Sequence, residues 1–206
     1  PNNNFIAVPL YTGEVMIWNI ELETFKILKG YQKPIQATCV SYSLNGRFLA
    51  SGYNKKQGDV KIWNVENGEC LYTFENHSKG VMCLSYSPDG RFIASGSDDK
   101  TITISNVETK QLVHTLQGHI DSVFSLSYSP NGNFLATGSL DNTIKVWRVE
   151  TGECIKTLQG HTDSVVKVSY SPDGKYVASG SRDKTIKFWS VETWECIKTL
   201  EESAMI

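Results

Sequence analysis

Residues 165–200 carry four short runs, VVKVSYS, KYVASGS, TIKFWSV and ECIKTL, in which β-branched and aromatic residues alternate with polar ones. A period of two puts every second side chain on one face, so each run is predicted as a strand with one buried side. Between the runs stand turn formers: SPDG at 171–174, SRDK at 181–184 and VETWE at 191–195. Proline fixes φ, glycine accepts a positive one, and connections this short join antiparallel neighbours. The expected strands are 165–170, 175–180, 185–190 and 195–200. Apolar residues do not recur at helical spacing, which predicts an all-β chain.

The same pattern is repeated upstream. Residues 119–160 and 161–202 share 26 identical positions out of 42. SYSPDG or a near copy starts at Ser41, Ser85, Ser127 and Ser169, and a tryptophan or its substitute recurs at Trp18, Trp63, Ser105, Trp147 and Trp189. A period in the low forties means stacked supersecondary units, because one such unit alone cannot bury its apolar faces. The repeats run at about 1–30, 31–76, 77–118, 119–160 and 161–206 within one domain. The first has three recognisable strands, near 3–8, 14–19 and 24–28, and lacks the innermost one; the tail EESAMI aligns with the loop that precedes an inner strand.

GH at 118 and 160, SPDG at 87 and 171, and ASGSxDxTIxxW at 178–189 resemble the WD-repeat β-propeller family. The Asp that closes the family motif is absent, since the tryptophans are followed by Asn19, Asn64, Arg148 and Ser190. The resemblance implies four-stranded antiparallel blades around a channel, here four complete blades plus one incomplete N-terminal blade. A family ring has about seven blades, so the expectation is part of a longer propeller, completed by further repeats of a parent chain or by another subunit. A five-bladed ring closed on itself is the alternative; packing of blade 5 on blade 1 would decide for it.

Composition narrows the function. Hydrophobic residues make up 40% of the chain, enough for one ordinary core, and the net charge is −2 with a pI near 6.1. Lysines and arginines are scattered, so no positive field gathers a phosphate backbone and nucleic acid is not an expected partner. No apolar run approaches the ~20 residues of a membrane span, and PNNNFIAVPL lacks the features of a secretion signal, so no membrane partner is expected. Cys39, Cys70, Cys83, Cys154 and Cys196 are odd in number and form no C-x-x-C pair, arguing against a disulfide scaffold and a zinc site. The expected compartment is the cytosol, with the nucleus as the alternative. No phosphate loop or dinucleotide fingerprint is present, and neither cofactor nor metal is expected.

His161, Ser179 and Asp183 are the residue types of a hydrolytic triad, and they recur as His119, Thr137 and Asp141 and as His77, Ser95 and Asp99. Catalysis needs one well-placed constellation, whereas a brace is needed once per blade, so no catalytic residue is assigned. The family resemblance implies a hydrogen-bonded network joining each set to Trp147 or Trp189. Blades 1 to 3 depart from it: Thr12 stands at the blade 1 position, Tyr31 replaces His in blade 2, the loop YNKKQG displaces its Asp, and Ser105 replaces Trp in blade 3. Weaker bracing is expected there.

The resemblance further implies that loops from outer to inner strands and from second to third strands share one rim, where proteins and peptides bind. Copy-to-copy differences on that rim fall at Met82, Phe124 and Val166 and at Asp98, Leu140 and Arg182. Phe124 and Leu140 form an apolar pair, although Phe124 packing into the channel mouth explains it equally. Trp194 occupies a turn position on the opposite rim where two sister copies have glycine, and its indole is a candidate partner contact, with local packing as the alternative. The expected function is a non-catalytic scaffold for protein or peptide partners. The alternatives are a hydrolase-type enzyme on a propeller and a purely structural segment of a larger assembly.

Overall fold

The computed structural model describes residues 5–31 and 35–201. Residues 3–4 of the first expected strand, part of the 31–36 loop and the tail beyond residue 201 lie outside the described residues. All regular structure within them is strand. Blade 1 comprises β1 (Phe5–Pro9), β2 (Glu14–Asn19) and β3 (Thr24–Lys29). Blade 2 comprises β4 (Ala37–Tyr42), β5 (Phe48–Tyr53), β6 (Val60–Asn64) and β7 (Cys70–Phe74). Blade 3 follows with β8 (Val81–Tyr86), β9 (Phe92–Ser97), β10 (Ile102–Asn106) and β11 (Leu112–Leu116), and blade 4 with β12 (Val123–Tyr128), β13 (Phe134–Ser139), β14 (Ile144–Arg148) and β15 (Cys154–Leu158). Blade 5 is β16 (Val165–Tyr170), β17 (Tyr176–Ser181), β18 (Thr185–Ser190) and β19 (Cys196–Glu201). Each complete blade is a meander of four antiparallel strands, and blade 1 has three.

The turns close as their chemistry dictates. In SPDG at 87–90 the Ser87 hydroxyl donates to Asp89 at 2.5 Å and accepts the Phe92 amide at 2.9 Å. Gly90 turns the corner at φ 74, where a β-carbon would strain the backbone.

Successive blades pack face to face, with β4, β8, β12 and β16 adjacent along the inner side. The blade 4–5 core joins Ala136, Ile144, Val146 and Leu158 of blade 4 to Val168, Tyr170, Val177 and Trp189 of blade 5. Each blade therefore turns its tryptophan side to the blade before it and its Ile/Leu side to the blade after. Both ends of the arc lack this cover. Ile186 and Leu200 of blade 5 are 47% and 41% exposed, against 1% and 3% for their counterparts Ile144 and Leu158. Trp18 of blade 1 is 46% exposed, against 2% for Trp63. The five blades form an open arc; the self-closed five-bladed ring is not what folds.

Candidate interaction site

The brace is built from four successive parts of a blade. In blade 4, the loop leading to β12 supplies His119, β13 supplies Thr137, the turn after β13 supplies Asp141 and β14 supplies Trp147. The indole N–H can only donate, and it donates to Thr137 Oγ1 at 2.8 Å. The hydroxyl proton then goes to His119 Nε2 at 2.9 Å rather than to the Lys145 carbonyl at 3.3 Å. With Nε2 accepting, the imidazole's single N–H is on Nδ1, which donates to Asp141 Oδ2 at 2.7 Å. The same carboxylate takes the Ile120 amide at 3.0 Å, while its other oxygen holds the Thr143 hydroxyl at 2.6 Å. Blade 5 repeats the chain: Trp189 to Ser179 at 2.9 Å, Ser179 to His161 at 2.8 Å, and His161 to Asp183 at 2.8 Å.

The connectivity matches that of a hydrolytic triad, but the surroundings do not suit one. Thr137 and Ser179 are buried, and each hydroxyl is capped by an indole. An acyl carbon has no approach to either oxygen. Burial works against ionisation of Asp141, yet the His119 and Thr143 hydrogen bonds overcome it and hold the carboxyl well below the usual range. Asp99 and Asp183 are held low in the same way, Asp99 by His77 and Thr101 and Asp183 by Thr185 and His161.

Blades 2 and 3 carry variants of this tie. In blade 3, His77 bonds Asp99 at 3.1 Å and Ser95 at 2.9 Å, and Thr103 joins Ser95 at 2.9 Å in place of an indole. In blade 2, Trp63 donates to Ser51 at 2.7 Å, and Tyr31 reaches the buried carboxylate of Asp59, which also pairs with Lys55 at 2.5 Å. Asp59 lies beyond the YNKKQG loop, at the position where the later blades have threonine. The loop thus replaces the brace there rather than removing it, a rearrangement that depends on loop conformation.

By pulling histidine loop and aspartate turn together, the braces assemble one rim. The Asp98, Leu140 and Arg182 amides donate to the carbonyls of Gly80, Ser122 and Ser164 at 3.0, 3.0 and 2.9 Å. Met82, Phe124 and Val166 are half-buried, and each is the extra residue of a β-bulge in its inner strand, as is Thr38 in blade 2. A bulge re-aims a single side chain out of the sheet's alternation, which the sequence pattern did not reveal. Phe124 and Leu140 flank the Val123–Ser139 pair. Arg182 is exposed and Asp98 half-buried. Trp194 lies on the other rim, half-buried at φ 60 and packed against the blade 4–5 core.

One rim residue escaped the sequence reading. Ile120 is 77% exposed at the position where the sister copies have Ser78 and Thr162. Its backbone is held at both ends, the amide by Asp141 and the carbonyl by Lys100 of the preceding blade at 2.8 Å. The copy comparison that singled out Phe124 would have found it four residues earlier, in the same loop.

Radial antiparallel blades, tied in blades 4 and 5 by a Trp–Ser/Thr–His–Asp chain and in blades 2 and 3 by variants of it, define a WD-repeat β-propeller. The chain belongs to that family: the family model of the WDR3 first beta-propeller domain matches residues 4–191. It is also similar to periodic tryptophan protein 2 of Arabidopsis thaliana, 36% identical over 69 residues. The homologues from Caenorhabditis elegans and Dictyostelium discoideum are 31% identical over 70 residues and 36% over 69. Each match takes in 34% of this chain and 7% of the relative, so the similarity spans a small part of those proteins.

Proposed function

We propose that this protein is a non-catalytic binding platform whose histidine-loop rim holds a protein or peptide partner, with Ile120, Phe124 and Leu140 of blade 4 as the apolar anchor. The observation that carries this is Ile120: a large apolar side chain in solvent, on a backbone already fixed by Asp141 and Lys100. Such an anchor loses little entropy on binding, and the polar groups of Asp98 and Arg182 supply the rim around it. The family supports the reading, since WD-repeat propellers of this type are typically scaffolds. The burial of the three hydroxyls bonded to His77, His119 and His161 supports the absence of catalysis. The test is affinity purification with mass spectrometry on the protein and on Ile120→Asp and Phe124→Ala. Loss of the same partner from both variants at unchanged Tm supports the proposal; retention by both sinks it.

A second reading rests on the uncovered ends. The exposed Ile186 and Leu200 of blade 5 and the exposed Ile6, Trp18 and Phe25 of blade 1 are the two sides of the contact repeated between all neighbouring blades. Each end accepts a further blade, from a parent chain or another subunit. Charge substitution at Ile186 would then abolish assembly without unfolding the five blades. The cysteines are all free, in keeping with a reducing compartment, cytosol or nucleus, which imaging of a tagged protein tests.

A further inference from the structure

On the rim opposite Ile120 a groove opens between blades 3 and 4, about 590 Å³ in volume, walled by Val113, His114, Phe134 and Val149, with Arg148 and Glu150 and the Arg91–Asp89 ion pair (2.8 Å) at its edge. Its occupant is indicated by the next junction along. The turns between third and fourth strands place Gly68, Lys110, Gly152 and Trp194 at one repeated position, with φ 77, 61, 73 and 60. From that position Trp194 packs with Phe134, Ile155 and Val191 onto the blade 4–5 core. The counterparts of those three residues one repeat earlier are Phe92, Val113 and Val149, and all three line the groove between blades 3 and 4.

A β-carbon on Gly152 would head into that groove, 3.1 Å from His114 Nδ1 and 3.2 Å from Leu116 Cδ2. Lys110 likewise runs back over the preceding blade, its ammonium 5.3 Å from the centre of the Tyr72 ring. At the blade 3–4 junction glycine contributes no side chain, and the His114 ring, bonded through Nε2 to the Glu150 carbonyl at 3.1 Å, stands at the near wall of the groove and must swing aside by a few tenths of an ångström for a larger group. Beside it the Arg148 guanidinium lies 5.7 Å from the Phe134 ring centre, exposed, and pairs with no carboxylate among the described residues.

We propose that the groove between blades 3 and 4 is a docking site for a peptide that inserts an aromatic side chain where Trp194 sits one blade later, with a neighbouring carboxylate of the peptide paired to Arg148. The indole of Trp194 is the internal example of the ligand; with Arg91 held by Asp89, the Arg148 guanidinium is the groove's cation left for a carboxylate of the peptide, on the side away from Glu150. This site is separate from the Ile120 rim and does not depend on it.

The test titrates the full chain with N-acetyl-tryptophanyl-aspartate and, in parallel, with uncharged N-acetyl-tryptophanamide, following backbone amide shifts by NMR. The expected result is saturable shifts at His114, Val149 and Gly152, with the acidic probe binding more tightly. Gly152→Trp fills the groove from within and weakens binding by about tenfold or more. Arg148→Ala removes the preference for the acidic probe, and Trp194→Gly creates a second site between blades 4 and 5. If Gly152→Trp does not fold, Arg148→Glu replaces it, because that side chain is exposed; it must then disfavour the acidic probe. Absence of saturable shifts at His114, or undiminished binding by the plugged variant, overturns the proposal.

Discussion

The Asn76 side-chain amide donates to the Ser105 hydroxyl at 2.9 Å, filling the place that an indole occupies in the later blades. There the residue before the histidine is glycine: a β-carbon on Gly118 would lie 3.3 Å from Trp147, and one on Gly160 3.4 Å from Trp189. Beside tryptophan a β-carbon is crowded, more at Gly118 than at Gly160, and both glycines hold a positive φ, whereas serine leaves room for asparagine. Ser105→Trp alone should cost about 1–3 kcal/mol by overpacking, and Asn76→Gly alone about 1 kcal/mol through the lost hydrogen bond. The double variant should recover most of that loss. Urea denaturation of the four proteins gives the coupling energy; simple additivity would show that the two positions do not share the space.

Gly138 and Gly180 hold the same place in blades 4 and 5. A β-carbon on Gly138 would meet Val165 Cγ1 of the next blade at 2.8 Å, whereas on Gly180 it would find only Lys167 Cβ at 4.0 Å. Gly138→Ala is expected to destabilise by about 1–3 kcal/mol. Gly180→Ala should stay within about 0.5 kcal/mol in this chain. Equal losses in thermal unfolding would mean that blade 5 is covered in solution.

Acid should loosen the braces. The folded state holds the Asp99, Asp141 and Asp183 carboxyls below their unfolded value of about 3.9. The unfolded chain therefore binds more protons as pH falls from that value, so the stabilisation is full above about pH 5 and is lost progressively below about pH 4. Asp141→Asn should be less stable at pH 7 and should show a flatter loss of stability between about pH 5 and pH 2. A parallel curve for the variant would exclude Asp141 as the titrating group.

The phenol oxygens of Tyr42, Tyr86, Tyr128 and Tyr170 are buried and find no hydrogen-bond partner among the described residues. Removing an unpaired buried hydroxyl while keeping the ring costs nothing in packing. Tyr128→Phe should leave stability unchanged or raise it by about 1 kcal/mol. A loss above about 1 kcal/mol in the same assay would reveal a hydrogen bond that those residues do not supply.

Much of the blade architecture was legible because it is local. The alternation in TIKFWS and the SPDG turns placed β16 to β19 within one residue of where they fold. The sets around His77, His119 and His161 were legible because the period carries them to equivalent places. The bulge at Phe124 was not: an extra residue in one strand is defined only against its partner, and the Val123–Ser139 pairing appears only once both strands are laid together. The Tyr31–Asp59 tie was hidden for a similar reason, since it depends on the path of the YNKKQG loop.

The amino-acid sequence by itself determined the strands, their order within each blade, the blade period and the residue types of the brace, because period-two alternation, turn chemistry and repetition act over a few residues at a time. Only the tertiary structure decided which faces are left uncovered, that Ile120 stands in solvent on a fixed backbone, and that Trp194 folds back onto blade 4 while Gly152 leaves its groove open. Those outcomes depend on the distance between one blade and the next, and that distance is set by packing across the interface rather than by neighbours along the chain.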